Sequence, residues 1–300
     1  MSQPLSQPVS EPTSDATAIH DLGYRRYDGA REGAGGVWRA LYGQGVRAIF
    51  GLGRGAKSKI LPVFVLLATL LPALAILAAA SASAGMVPVR YGPIVSGQLI
   101  LLLLFVAAQA PELVSRDQQH RVLSLIFTRE VSRAAYGWAR LASLTSGVFS
   151  LSLAPLLLLY IGEIGLAKDP AAQFSLTGGR IGSVLLQAGV TAVAMSGIGA
   201  ALASFTPRRA YATAAIIAAF LVATAVATGL DDLAGVSVRT AELLDPIRSL
   251  RMLSLILFNE PTRAMELEPP SSVWVYVVAL VALGGAGAAA LQWRLRRVAA

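Results

Sequence analysis

ILPVFVLLATLLPALAILAAA, residues Ile60 to Ala80, is a run of 21 residues without a single charge. Crossing the hydrocarbon core of a bilayer takes about 20 mostly apolar residues in helical form. Pro62 and Pro72 do not veto the assignment, because membrane helices tolerate proline where neighbours satisfy the freed carbonyl. Working outward, five more stretches of this kind follow: Gly92 to Ala110, Leu141 to Ile161, Gly182 to Ser204, Ala210 to Gly229 and Val273 to Gln292. The expected fold is therefore an all-α integral membrane protein with six transmembrane helices. Composition agrees: 55% of the 300 residues are hydrophobic and 14% are charged, against about 25% charged in soluble domains.

The net charge of +8 would suggest nucleic acid in a soluble protein, but here it distributes by compartment. With both termini inside, 18 Lys and Arg and 8 Asp and Glu fall on the inner side, giving +10. The outer loops hold 7 Lys and Arg and 9 Asp and Glu, giving −2. The positive-inside rule then predicts a multi-pass protein of the cell inner (cytoplasmic) membrane with both termini cytoplasmic, and the nucleic-acid reading loses its support.

Chemistry is scarce. Cysteine is absent and the two histidines are His20 and His120, which leaves no thiolate and little else for a metal site. No Asp, Glu, Lys, Arg or His lies inside the six stretches. A residue of that kind at mid-depth is the usual mark of an ion pathway, so an ion-coupled mechanism is disfavoured. The polar residues available to a pathway are Gln98, Gln109 and Gln187. Gly51 to Ser58, GLGRGAKS, approaches the phosphate-loop pattern, but Ala56 replaces the glycine before Lys57 and a membrane span follows, so the motif lacks its context. No catalytic, cofactor or metal residue is assigned.

Residues 1–22 are polar and proline-bearing and read as a disordered cytoplasmic tail. Segment 23–59 carries an amphipathic helix. Trp38, Tyr42, Val46, Ile49 and Phe50 share one side at helical spacing, which predicts a helix lying in the membrane interface with those residues among acyl chains. Arg39, at the apolar edge, would have to snorkel. Residues 60–293 form the transmembrane domain and 294–300 a basic cytoplasmic end.

In the outer loop 230–272, Asp245-Pro246 is a helix start. The apolar run to Phe258 is too short to cross and is expected as an interfacial or re-entrant helix. Small residues recur at Ala188, Ala192, Ser196, Ala200 and Ser204, and at Gly284, Gly285 and Gly287, permitting close helix approach.

Segment 111–140, PELVSRDQQHRVLSLIFTREVSRAAYGWAR, is the long inner loop between spans. Pro111 is expected to end the second span, Thr128 and Ser132 are candidate N-caps, and Tyr136 and Trp138 are expected at interface depth. The bottom-up reading is a short helical hairpin that packs on its own protein or receives another.

At these residues the chain resembles the permease subunits of ABC transporters of the second type (ABC-2), the membrane components of bacterial exporters. Members often carry an acidic residue after the second span, then Ser-Arg-Asp, a leucine-rich run ending in Ser or Thr with Arg-Pro, then Ser-Arg-x-x-Tyr and Gly-x-Lys. Here those positions read Glu112, Ser115-Arg116-Asp117, Leu123 to Phe127, Thr128-Arg129, Ser132-Arg133 with Tyr136, and Gly137 to Arg140. Glu130 stands where proline is usual, and Arg140 replaces the lysine.

The resemblance implies a coupling helix in this loop, docked on a separate ATP-binding subunit present in two copies. Its candidate contacts or supports are Glu112, Ser115, Arg116, Asp117, Arg121, Thr128, Arg129, Ser132 and Arg133. It also implies dimerisation, or pairing with a similar permease, with ATP and magnesium on the partner ATPase and no cofactor on this chain. Two other readings stay open: an ion-coupled secondary transporter, and a non-transporting membrane scaffold or sensor.

Overall fold

The computed structural model describes residues 33–53, 55–83, 88–119, 126, 131–233, 242–260 and 272–298, with backbone alone at 231–233 and 298. The proposed tail 1–22, the start of segment 23–59, and Arg121, Thr128 and Arg129 lie outside them.

The described chain is helical. In order come α1 (Ala34–Ile49), a 3-10 turn (Ala56–Ser58), α2 (Ile60–Ala82), α3 (Gly92–Leu113) and the short α4 (Ser115–Gln119). After these come α5 (Arg133–Leu166), α6 (Pro170–Thr177), α7 (Arg180–Phe205), α8 (Arg209–Leu233), α9 (Pro246–Leu257) and α10 (Val273–Val298). Six of these, α2, α3, α5, α7, α8 and α10, are long and apolar enough to cross a membrane.

The six divide into a centre and a rim. The most apolar windows of α3, α5 and α7 are 61%, 50% and 56% buried, against 28%, 17% and 28% for α2, α8 and α10. The rim helices turn large apolar side chains outward, Phe64, Leu67 and Leu71 on α2 and Leu221 and Val222 on α8. In water such a surface would be unstable, whereas in lipid it is the expected solvent-facing side.

The closest approach is between α7 and α10. A Cβ on Gly197 would lie 2.1 Å from the Gly284 carbonyl oxygen, and one on Gly287 would lie 2.3 Å from the Gly197 carbonyl oxygen. The small residues at these positions thus join two helices of one chain, with Ala188, Ala192, Ser196, Ala200 and Ser204 all buried, in the manner of close-packed membrane helix pairs.

Proline does not end the second span at Pro111, as the sequence suggested. The helix runs on to Leu113. Pro111 cannot donate to the carbonyl four residues back, but Thr213 on α8 donates its hydroxyl to that Ala107 oxygen at 2.8 Å.

Two ends of the bundle can be told apart by their contacts. One, here the terminal face, gathers α1, α4, the start of α5 and the ends of α7 and α10. The other, the distal face, gathers the starts of α3 and α7, together with α6 and α9. On the distal face Asp169 caps α6 by accepting from the N–H groups of Ala171 and Ala172. Asp245 caps α9, accepting from Ile247 N–H at 2.9 Å.

The α9 helix buries one face: Leu250 and Leu253 are fully buried, and the Gln187 side-chain amide donates to the Leu250 carbonyl at 3.1 Å. Gln187 lies about 10 Å along α7 from Arg180 at 1.5 Å per residue. The α9 helix therefore packs one face against the spans through Leu250 and Leu253.

Candidate functional site

On the terminal face the helix ends need partners, because the last four carbonyls of each helix lack intrahelical donors. Segment 111–140 supplies several. Ser115 is buried and donates to the Ala203 carbonyl at 2.7 Å, and Gln118 donates to Ser204 at 3.2 Å. Arg133 reaches the Arg296 carbonyl of α10 at 3.1 Å. Ser132 is the N-cap of α5, accepting from Ala135 N–H at 3.1 Å. Of the candidates read from the sequence, Ser115, Ser132 and Arg133 therefore support neighbouring helices.

Asp117 turns inward as well. Its Oδ2 accepts from the Tyr136 hydroxyl and from Arg140 Nη2, each at 2.7 Å. Tyr136 is 1% exposed: its polar end has found a carboxylate inside the protein. Trp138 on the opposite side is half exposed. Helix α5, at 34 residues, is about 51 Å long and so outruns the hydrocarbon. Its first two turns carry Tyr136 and Arg140 onto the terminal face.

Glu112 and Arg116 form an ion pair one turn apart, and Arg209 reaches Glu112 at 3.4 Å. Arg116 keeps about half of its side chain exposed.

Helix α1 completes the site, in a position the sequence did not give. Its stripe was expected among acyl chains, but Ile49 is fully buried in the core and Trp38, Tyr42, Val46 and Phe50 are half-buried. The Tyr42 hydroxyl bonds Ser146 at 2.9 Å, and Ser143 donates to the Tyr42 carbonyl at 3.0 Å. Gly45 permits this approach, since a Cβ there would fall 2.2 Å from Ser143 Oγ. Periodicity marked the apolar face, and part of that face packs on α5 at Gly45 and Ile49. Arg39 is exposed and lines a cavity.

That cavity, about 920 Å³, lies between α1 and the α3–α4 corner. Arg39, Arg47, Arg116 and Arg140 face Glu112 and Asp117 across it. Arg116 and Arg140 are paired with the two carboxylates, so Arg39 and Arg47 leave it basic. From the sequence, Arg39 stood at the apolar edge of α1 and Arg47 away from it. Their role depends on where α1 docks, and no periodicity encodes that.

The amides Gln98, Gln109 and Gln187 are all buried but do not meet. Gln98 and Gln109 stand about 16 Å apart along α3 at 1.5 Å per residue. Gln98 donates to Ser152 at 3.4 Å and borders a groove of about 360 Å³ between α2 and α3. Gln187 holds α9. The near phosphate-loop also folds on itself: Gly51 and Gly53 take left-handed φ of 65° and 79°, and Ser58 donates to the Gly55 carbonyl at 2.8 Å.

No protein-family model matches the chain, and no curated protein matches it. The site must be read from its own geometry.

Proposed function

We propose that this chain is the membrane-spanning permease subunit of an ATP-driven transporter of the ABC-2 kind, an exporter that binds a separate ATP-binding subunit at its terminal face. In this reading the terminal face is cytoplasmic, as the charge count suggests. The observation that carries the proposal is the basic cavity between α1 and the α3–α4 corner. It combines exposed arginines with a frame anchored to three spans.

Movement of α4 would reach α5 through Asp117, Tyr136 and Arg140, and α7 through Ser115 and Gln118. Movement of α1 would reach α5 through Tyr42 and Ser143. A partner that closes on ATP and binds one arrangement of this frame better than the other would shift the chain between two states. The six apolar stretches read from the sequence, which form the middle of these helices, contain no ionisable residue to couple an ion gradient, which supports an energy source on another chain. Two copies of the ATPase and a second permease, identical or similar, would complete the assembly.

The test is co-purification of the full chain with the ATP-binding protein encoded beside it, followed by transport in proteoliposomes. Association and ATP-dependent transport are expected. Failure of any ATPase to associate, or equal transport without one under a proton gradient, would overturn the reading in favour of a scaffold or an ion-coupled carrier respectively.

A further inference from the structure

Three separate connections on the distal face each send one arginine into the same cavity. Arg90 comes from the α2–α3 connection, Arg180 opens α7 and Arg251 lies on α9. In the orientation proposed above this side carries 7 Lys and Arg against 9 Asp and Glu. Three of its cations thus converge where the average charge is negative.

The cavity measures about 580 Å³. Among the described residues its lining holds a single carboxylate, Glu260, and that one is already engaged: its two oxygens accept the backbone N–H groups of Tyr91 and Gly92. Arg180 meets Glu163, behind the lining, through Nη1 alone, at 2.6 and 2.7 Å. The guanidinium also lies 5.7 Å from the Tyr91 ring centre. Arg90 and Arg251 are exposed, and their guanidinium groups have no hydrogen-bond or ion-pair partner among the described residues. Counting Glu163, a surplus of one positive charge remains among the described residues.

Like charges held together beside a low-dielectric bilayer repel more strongly than in bulk water, and an intervening anion removes that cost. Guanidinium groups match the oxygens of phosphate in fork geometry. The other walls, Val89, Pro93, Leu255 and Phe258, are apolar, which suits a phosphate carried on a greasy stem.

We propose that this cavity binds one phosphate group, supplied by a phospholipid headgroup or by free phosphate. The site does not require the ATPase, so its test stands apart from that of the transport reading. The full chain is placed in nanodiscs of phosphatidylcholine and titrated with inorganic phosphate, using chloride at equal ionic strength as the reference. In parallel it is placed in nanodiscs with increasing phosphatidylglycerol, and thermal midpoints are recorded in both series.

A saturable rise is expected in at least one series. A rise with inorganic phosphate identifies a free-anion site, and one confined to phosphatidylglycerol identifies a headgroup site. R90Q/R251Q, which removes two exposed cations, should raise the half-saturating concentration at least tenfold. K168Q removes an exposed cation from the same connection as Arg180, outside the cavity, and should behave as the native chain. No saturable rise in either series, or equal affinity in R90Q/R251Q and the native chain, would overturn the site.

Discussion

Arg140 donates to Asp117 at 2.7 Å across 23 residues of sequence, and the arginine is 7% exposed. The pair ties α4 to the protruding start of α5, with Tyr136 as a second donor to the same oxygen. A guanidinium buried to this degree has little water to fall back on, so the carboxylate is what makes its position tolerable.

Replacing Asp117 with Ala should therefore cost about 3–5 kcal/mol, the usual penalty for leaving a buried charge without its partner. The thermal midpoint of the purified chain checks this. D117A/R140M, which removes both charges, should recover a large part of the loss. Equal stability of D117A and the native chain would mean that water reaches Arg140 freely.

A second outcome concerns the glycine contact of α7 and α10. G197A and G284A each place a Cβ within 2.5 Å of backbone oxygen on the facing helix, and backbone cannot step aside as a side chain can. Losses of about 1–3 kcal/mol are expected, the range for overpacking. G285A, whose Cβ meets nothing within 4 Å, should be neutral in the same unfolding assay.

Alkaline pH offers a third. Tyr91 is buried and donates to Glu163 at 2.9 Å. Burial first, then the neighbouring carboxylate, holds its hydroxyl well above the ordinary phenol range. A folded-state pKa raised in this way contributes stability that is complete below the unfolded value of about 10 and lost as pH rises beyond it. Y91F should be less stable than the native chain near pH 8 by about 1.5–3 kcal/mol, the worth of a hydrogen bond to a charged acceptor. The gap should narrow above pH 10, as midpoints collected from pH 8 to 11.5 would reveal.

The proposed docking face makes a fourth. R39E/R47E inverts two exposed charges that line the terminal cavity without ion-pair partners among the described residues. Association with the ATP-binding subunit should weaken at least tenfold in a pull-down titration while the thermal midpoint of the isolated chain stays unchanged. Undiminished association would move the docking surface away from α1.

Much of this architecture was legible in the sequence for one reason: crossing a bilayer leaves long apolar runs, and each of the six lies within one long helix, although α5 starts eight residues before its run and α10 ends six after. The Asp245-Pro246 start of α9 was equally plain, since a cap and a pre-set φ are local matters. Contacts between elements were not. Pro111 looked like a terminus because nothing in segment 111–140 announces Thr213 on α8. Tyr136 and Arg140 stand four residues apart on one helical face, a visible hint of a shared partner, but Asp117 reaches them only through the fold. Ile49 sat correctly on an apolar stripe, yet a stripe does not say whether lipid or protein will cover it. Arg121, Thr128 and Arg129 lie outside the described residues, so the coupling-loop reading rests on its two flanks.

The Gly197–Gly284 contact has a further use. Two helices whose backbones touch have no room to slide or tilt against each other, so α7 and α10 form a fixed ruler inside the molecule. Spin labels or fluorophores placed on exposed Val193 and Val281 should report one distance in every condition. Any change measured from that baseline to α2 or α4 then belongs to those helices, and the moving parts can be sorted from the stationary ones before a substrate is known.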